Sequence, residues 1–409
     1  MVRSPAQPEG RTRTDKARRT LSIFGATGSI GVSTADVVLQ HRDSFDIEVV
    51  TAQSRAEELA ETAIRLGAKH AVIGDPDRLE VLRARLAGTG IGVAAGPAAI
   101  VEAASRPVDL AVAAIVGAAG LEPTLAAIDA GADIALANKE CMVCAGGLFN
   151  RRAAAASVRV LPVDSEHDAI FQSLEANNLH AVERITITAS GGPFRTATLD
   201  EMRRATPAEA LKHPRWAMGP KISIDSATMM NKGLELIEAH HLFDIGSARL
   251  DVLVHPQSIV HGFVTYSDGS VVAQLGVADM RIPISHCLNW PRRVETATPR
   301  LDLATVGTLS FEKPDLQRFP ALRVARTALE NGDWATNILN AANEVAVQAF
   351  LDGAIGYLEI AATVEAVLDV ATGTVGGTEL DTLEAVLTLD REGRRLAAER
   401  IDSRGRRAG

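Results

Sequence analysis

The chain has 409 residues, 46% of them apolar and 23% charged, with 51 acidic against 42 basic side chains and a net charge of −9. That length exceeds one hydrophobic core, so two or three domains are expected of an otherwise ordinary soluble chain. The acidic balance excludes the basic field of a nucleic-acid binder, no apolar run is long enough to span a membrane, and three cysteines are too few for a disulfide framework. A cytoplasmic protein with neither nucleic-acid nor membrane partners is expected.

Residues 1–20, rich in Arg, Pro and Thr, read as a disordered tail, a composition an organellar transit peptide shares. From Leu21 short apolar runs alternate with amphipathic ones. LSIFG predicts a strand, Ser29 to Gln40 a helix, FDIEVVTA a strand, Arg55 to Leu66 a helix and KHAVIG a strand. VDLAVAAIVG is apolar throughout, as in a strand buried on both faces. GLEPTLAAIDAG is a helix stopped by Gly131, ADIALAN a strand, and SVRVLPV another after a further helical stretch. Alternation of this kind predicts an α/β fold, with a doubly wound, Rossmann-like parallel sheet over residues 21–164. Over 165–289 the strands ERITITAS, LDVLVHP, IVHGFVTYS and SVVAQLG, the hairpin turn SDGS and a long helix from Ala227 to Phe243 predict a mixed α/β catalytic domain. Residues 290–315, rich in Pro, Arg and Thr, read as a linking arm, and 316–409 as a C-terminal helical bundle.

FGATGSIG places Gly25, Gly28 and Gly31 between a strand and a helix, where glycine permits a tight turn and the helix N-terminus offers free amides to a pyrophosphate. The second strand ends VVTAQSR. It lacks the acidic residue that bonds a ribose 2′-hydroxyl, and Ser54 and Arg55 can receive a 2′-phosphate, so NADP is preferred over NAD. LANKE closes a strand near the expected switch of strand order, placing Asn138 and Glu140 toward cofactor and Lys139 toward substrate; a surface Lys139–Glu140 pair is the plainer alternative.

LPVDSEHDAIFQ holds the acidic cluster. Asp164 and Glu166 are two residues apart, so in an extended chain both carboxylates point one way, and oxygen ligands suit Mg²⁺ or Mn²⁺. The third ligand is sought in IDSATMMNKGLELIEAHH. There Asn231, Lys232 and Glu235 fall within one arc of a helix that Asp225 or Ser226 can cap, while Met230, Leu234 and Ile237 face the core. Glu235 is the candidate ligand, with Ser226, Asn231 and Lys232 for a phosphate; an ordinary solvated face with a Lys232–Glu235 pair is the alternative. TASGGPF offers Ser190 as a phosphate cradle, and KHPRWAMGPK (212–221) offers Trp216 and Met218 as a lid, with a connecting loop pinned by an anchoring Trp as the alternative. Cys141 and Cys144 form a lone C-x-x-C with no partner pair, a weak signal for zinc or redox chemistry.

GATGSIG, LANKE, PVDSEHDAIFQ, TASGGPF, HPRWAMGPKISIDSATMMNKGLELIEA, HPQSIVHG and NAANEVAV, in this order, closely resemble the 1-deoxy-D-xylulose-5-phosphate reductoisomerase family. The resemblance implies an NADPH-dependent homodimer that takes a phosphorylated sugar, uses Mn²⁺, Mg²⁺ or Co²⁺ and is inhibited by fosmidomycin. It implies that Thr27, Gly28, Ser29, Ile30, Gln53, Ser54, Arg55, Asn138, Glu140 and Gly219 contact NADPH. Asp164, Glu166 and Glu235 would be metal ligands; Lys139, Ser165, Glu166, Ser190, His213, Trp216, Ser226, Asn231, Lys232 and Glu235 would meet substrate. Lys139, Glu166 and Glu235 would carry the catalysis. The chain departs from the family's pattern at Asp168 (commonly Asn), which adds a charge near the metal, at Gln53 (often Gly), at Pro220 and in a short 172–183 segment. Two rivals are a metal-independent NADP aldehyde or semialdehyde dehydrogenase and a non-enzymatic NADPH-binding regulator.

Overall fold

The computed structural model describes residues 18–212 and 219–408. Residues 1–17 of the expected tail and residues 213–218, with His213, Trp216 and Met218, lie outside the described residues.

The N-terminal alternation of period and polarity becomes one sheet. Strands β1 (Arg19–Phe24), β2 (Phe45–Ala52), β3 (His70–Ile73), β4 (Gly92–Ala95), β5 (Leu110–Ala113), β6 (Asp133–Leu136) and β7 (Val160–Pro162) lie in the order β4-β3-β2-β1-β5-β6-β7. Every pairing is parallel. Helices α1 (Ser29–Gln40), α2 (Ala56–Leu66), α3 (Leu79–Arg85), α4 (Pro97–Ala104), α5 (Leu121–Asp129) and α6 (Glu140–Ala155) make the crossovers. β5 and β6 are buried at every residue, which is why their sequences show no alternation. The chain builds outward from β1 to β4, then returns to β5 on the other side. The order therefore reverses at β1, and the crevice beyond the carboxyl ends of β1 and β5 is the ligand position of such sheets.

The second domain begins with α7 (Ser165–Ser173) and continues through β8 (Val182–Ala189), α8 (Leu199–Arg203), α9 (Pro207–Ala210), α10 (Pro220–Thr228), α11 (Met230–Phe243), β9 (Leu250–Val254), β10 (Val260–Tyr266), β11 (Val271–Leu275) and α12 (Arg281–Asn289). Its sheet runs β11-β10-β8-β9, with β8 and β9 parallel and the other pairings antiparallel. SDGS turns the chain from β10 to β11, with Gly269 at φ 87°. The arm carries α13 (Leu303–Val306) and a bridge from Glu312 back to Val254. The bundle comprises α14 (Ala321–Asn331), α15 (Asp333–Leu351), α16 (Tyr357–Thr374) and α17 (Leu383–Ala408).

Two expectations need correction. The helix expected from Ala227 to Phe243 is two helices, α10 and α11, broken at Met229, a non-glycine residue at φ 61°. Asp225 and Ser226 are thus inside α10 and cap nothing; Gly219 occupies its N-cap, ahead of Pro220, which suits a first helical turn. Nor is the backbone extended through Asp164–Glu166. Asp164 is the N-cap of α7 and Glu166 lies in its first turn, so a helix entry, not strand alternation, aims the two carboxylates.

Candidate active site

The switch of strand order and the break between α10 and α11 face one another across a cavity of about 320 Å³. Lys139 enters it from the loop after β6. Asp164, Ser165 and Glu166 enter from the start of α7, and Ser190 from the loop after β8. Ser226 comes from α10, and Asn231, Lys232 and Glu235 come from one face of α11. Ser29 and Ile30, at the N-terminus of α1, form part of the wall.

Oxygens of Asp164, Glu166 and Glu235 lie within 4.8 Å of one another. Lys139 Nζ donates to Asp164, to Asn231 Oδ1 at 2.9 Å and to Glu235 Oε1 at 3.0 Å. Lys232 Nζ donates to Glu166 Oε1 at 2.5 Å and to Glu235 Oε2. The predicted Lys232–Glu235 pair exists, but Glu235 is 1% exposed, so this is no solvated face. Three carboxylates against two ammonium groups leave one negative charge in a buried space. Burial works against the charge of Lys139, but Asp164 and Glu235 outweigh it and raise its pKa well above the usual lysine value. Burial likewise opposes ionisation of Asp164, yet Lys139 holds that carboxyl well below the usual range. Burial and the neighbouring Glu235 push Glu166 up. Ser165 Oγ donates to Glu166 Oε2 at 2.6 Å. Behind the cavity His167 Nε2 meets the Glu235 carbonyl at 2.9 Å, which ties α7 to α11, and burial brings this imidazole down to about 4.

The glycine turn closes against the sheet. Gly25 sits at φ 89°, and a Cβ at Gly31 would run into the backbone of Gly25 and Ala26. Thr27 is buried, and Gly28 caps α1 without a side-chain bond, so no side chain of the N-cap satisfies the first amides of the helix. Gln53, Ser54 and Arg55 are exposed beyond the end of β2, with the Gln53 side chain against Gly74. Asn138 is turned inward: its amide donates to the Ile115 and Gly117 carbonyls, the latter at 3.0 Å, and so shapes the loop after β5. Glu140 is buried and paired, though with Lys221 at 2.7 Å, not with Lys139 on a surface. Asp168 meets His286 Nδ1 at 2.5 Å and Gln172 Nε2 at 2.6 Å, so its charge is answered within that group. The cysteines of C-x-x-C are fully buried, and burial pushes both thiols up, which suits packing and not redox chemistry.

Sequence reasoning missed Thr188, Ile222, Met229, Ser258, His261 and the stretch Ala278–Met280, all of which line the cavity. TASGGPF holds Thr188, the 213–239 motif holds Ile222 and Met229, and HPQSIVHG holds Ser258 and His261; Ala278–Met280 lie in none of the motifs.

A Rossmann-like sheet opening onto a carboxylate- and lysine-lined cavity in a second α/β domain defines a dinucleotide-linked enzyme. Residues 21–146 match the family model described as 1-deoxy-D-xylulose 5-phosphate reductoisomerase, residues 160–243 that of its C-terminal domain, and residues 275–396 a DXP reductoisomerase C-terminal domain. The chain belongs to the 1-deoxy-D-xylulose-5-phosphate reductoisomerase family. It is 53% identical over 380 residues to the enzyme of that name from Bradyrhizobium sp. (strain ORS 278), covering 93% of each chain. It is 52% identical over 401 residues to that of Rhizobium rhizogenes, covering 97% of this chain and 100% of the relative. Among solved structures it is similar to the Zymomonas mobilis enzyme in complex with NADPH, with a TM-score of 0.88 and 49% identity, over 94% of this chain and 100% of that one. It is also similar to a DOX-P reductoisomerase in complex with NADPH, fosmidomycin and magnesium, with a TM-score of 0.91 and 42% identity, over 94% of this chain and 98% of that one.

Proposed function

We infer that this chain is an NADPH-linked, divalent-metal-dependent reductoisomerase that converts 1-deoxy-D-xylulose 5-phosphate to 2-C-methyl-D-erythritol 4-phosphate, a step toward isoprenoid precursors. One observation carries the reading. Asp164, Glu166 and Glu235 converge within 4.8 Å on the floor of a cavity whose wall is the N-terminus of the nucleotide helix α1. The donor set fits a hard dication, since the oxygens are anionic and one negative charge is left over from the two lysines. NADPH fits the uncapped amides of α1 and the exposed Ser54 and Arg55, with Gly219, Asn138 and Glu140 assigned to its nicotinamide end. When bound, the dication, Mn²⁺, Mg²⁺ or Co²⁺, supplies Lewis acidity toward a ketone and an adjacent hydroxyl, and NADPH supplies hydride.

The remaining work falls to the chain's own side chains. Ser190, Ser226, Asn231 and Lys232 offer donors for the phosphate, whose binding energy is spent on orientation. Lys139, kept cationic by its two carboxylates, stabilises negative charge on substrate oxygen. Glu166, whose carboxyl is pushed up by burial and by Glu235 and which accepts from Ser165, holds a proton more readily than an ordinary carboxyl. His213 and Trp216, read from the sequence as substrate contacts in a lid over 212–221, lie outside the described residues. The division into a nucleotide unit (21–164), a catalytic and dimerising unit (165–289), an arm and a helical unit (316–409) is part of this proposal, and the two separate sheets support it. So is the homodimer: β11 is an edge strand with Val271 58% exposed, a surface suited to pairing with a second copy. No described helix is long and apolar enough to cross a membrane; a cytoplasmic location is proposed.

The test is NADPH oxidation with 1-deoxy-D-xylulose 5-phosphate. Activity should vanish with EDTA and return with Mn²⁺ or Mg²⁺. Undiminished turnover in chelator would leave a metal-independent dehydrogenase in its place.

A further inference from the structure

Lys221 joins two parts of the molecule that the proposed reaction has to keep in register. It is the second residue of α10, two positions past Gly219, and α10 goes on to deliver Ser226 to the cavity. Its Nζ lies 2.7 Å from Glu140 Oε1 and 2.8 Å from Asp225 Oδ2. Glu140 opens α6 directly after Lys139. Asp225 is 1% exposed, and its other oxygen accepts from Asn343 Nδ2 of α15 at 2.8 Å. The neighbouring Ala227 carbonyl accepts from Tyr357 Oη of α16 at 2.6 Å. The bundle thus grips α10 through Asp225 and Ala227, and Lys221 ties the same helix to the strand end that carries Asn138, Lys139 and Glu140.

Two carboxylates share one ammonium here, with the Lys221 side chain 18% exposed and that of Glu140 9%. A buried ion group of this kind holds its geometry because removing one member leaves the others uncompensated. Burial opposes both charges, yet the partners raise Lys221 and lower Glu140.

We propose that Lys221 is a positioning residue for the dinucleotide: it holds Glu140 against the N-terminal turn of α10, so that Glu140 and Gly219 form one wall of the nicotinamide end. The inference rests on the NADPH reading above. It explains why a lysine placed outside the cavity's acidic cluster is buried between two acids.

The experiment measures NADPH dissociation constants directly, by quenching of protein fluorescence in the absence of substrate, for wild type, K221M, K221R, E140Q and K221M/E140Q. K221M should bind NADPH at least about tenfold more weakly and K221R within about threefold of wild type. In the E140Q background K221M should add almost nothing, because Lys221 acts through Glu140. K221M/E140Q loses one charge of each sign, keeps the group's net charge and carries the test should K221M alone not fold. Multiplying losses in the double variant, or wild-type affinity in K221M, would overturn the role. Absence of NADPH binding by the wild type would instead remove the proposed function, and this inference with it.

Discussion

The nucleotide side and the acidic cavity are built on opposite plans. The phosphate end of the first comes from a single βαβ unit: a turn from Gly25 to Gly28, the free end of α1, and an exposed patch at Gln53–Arg55 beyond β2. Its donors are backbone amides and solvated side chains, so each works almost alone. The second draws Lys139, Asp164, Glu166, Lys232 and Glu235 from three distant stretches and buries them on one another. In low dielectric these charges are strongly coupled, and removing one strands its partners. A contiguous site should lose function piecemeal, whereas a buried assembly should lose it as a unit.

Glu235→Gln gives the sharpest test. It touches both lysines, so NADPH oxidation should fall by at least about a hundredfold, the upper range for disturbing a metal's surroundings. NADPH affinity without substrate should stay as in wild type; a parallel loss of cofactor binding would erase the contrast. Gly31→Ala should do the reverse. Its Cβ meets the Gly25–Ala26 backbone, so about 1–3 kcal/mol of stability should go and NADPH should bind at least about tenfold more weakly. Mn²⁺ affinity, read by paramagnetic relaxation, should not change. Arg55→Ala is expected to cost roughly tenfold in NADPH affinity and nothing in NADH affinity, since only NADPH carries the 2′-phosphate. Equal losses for the two cofactors would remove Arg55 from that role.

The smallest effect lies outside both regions. Hydrogen bonds from Thr198 hold the Glu201 carboxyl below its ordinary value in a capping box. A depressed folded pKa adds stability above the unfolded value, about 4.3, and loses it as pH falls through the folded value. Thr198→Ala should therefore lower the melting temperature slightly at neutral pH, and the difference should shrink in acid. A constant offset from neutral pH to pH 3 would show that the carboxylate contributes nothing.

Most of the nucleotide side was legible because its information is local. The glycine spacing, the helix from Ser29 to Gln40 and the apolar runs of β5 and β6 stand in the chain as they stand in space. The α11 face was legible for a different reason: the phosphate candidates Asn231 and Lys232 and the candidate metal ligand Glu235 share an arc on any helix, and α11 supplies that helix although it starts three residues late. The break at Met229 was not legible, since a left-handed non-glycine residue has no sequence signature. Neither was the burial of Glu140 with Lys221, because spacing along a chain says nothing about a partner 81 residues away.

By itself the sequence determined the parallel sheet, the glycine turn and which acids were available, because period, polarity and backbone freedom are properties of short stretches. The tertiary structure alone decided that two lysines stand among three carboxylates and that Asp168 is answered by His286. It also decided that α10 is gripped from the bundle by Asn343 and Tyr357. Coulomb energy depends on distance and burial, and neither exists until remote segments are folded together.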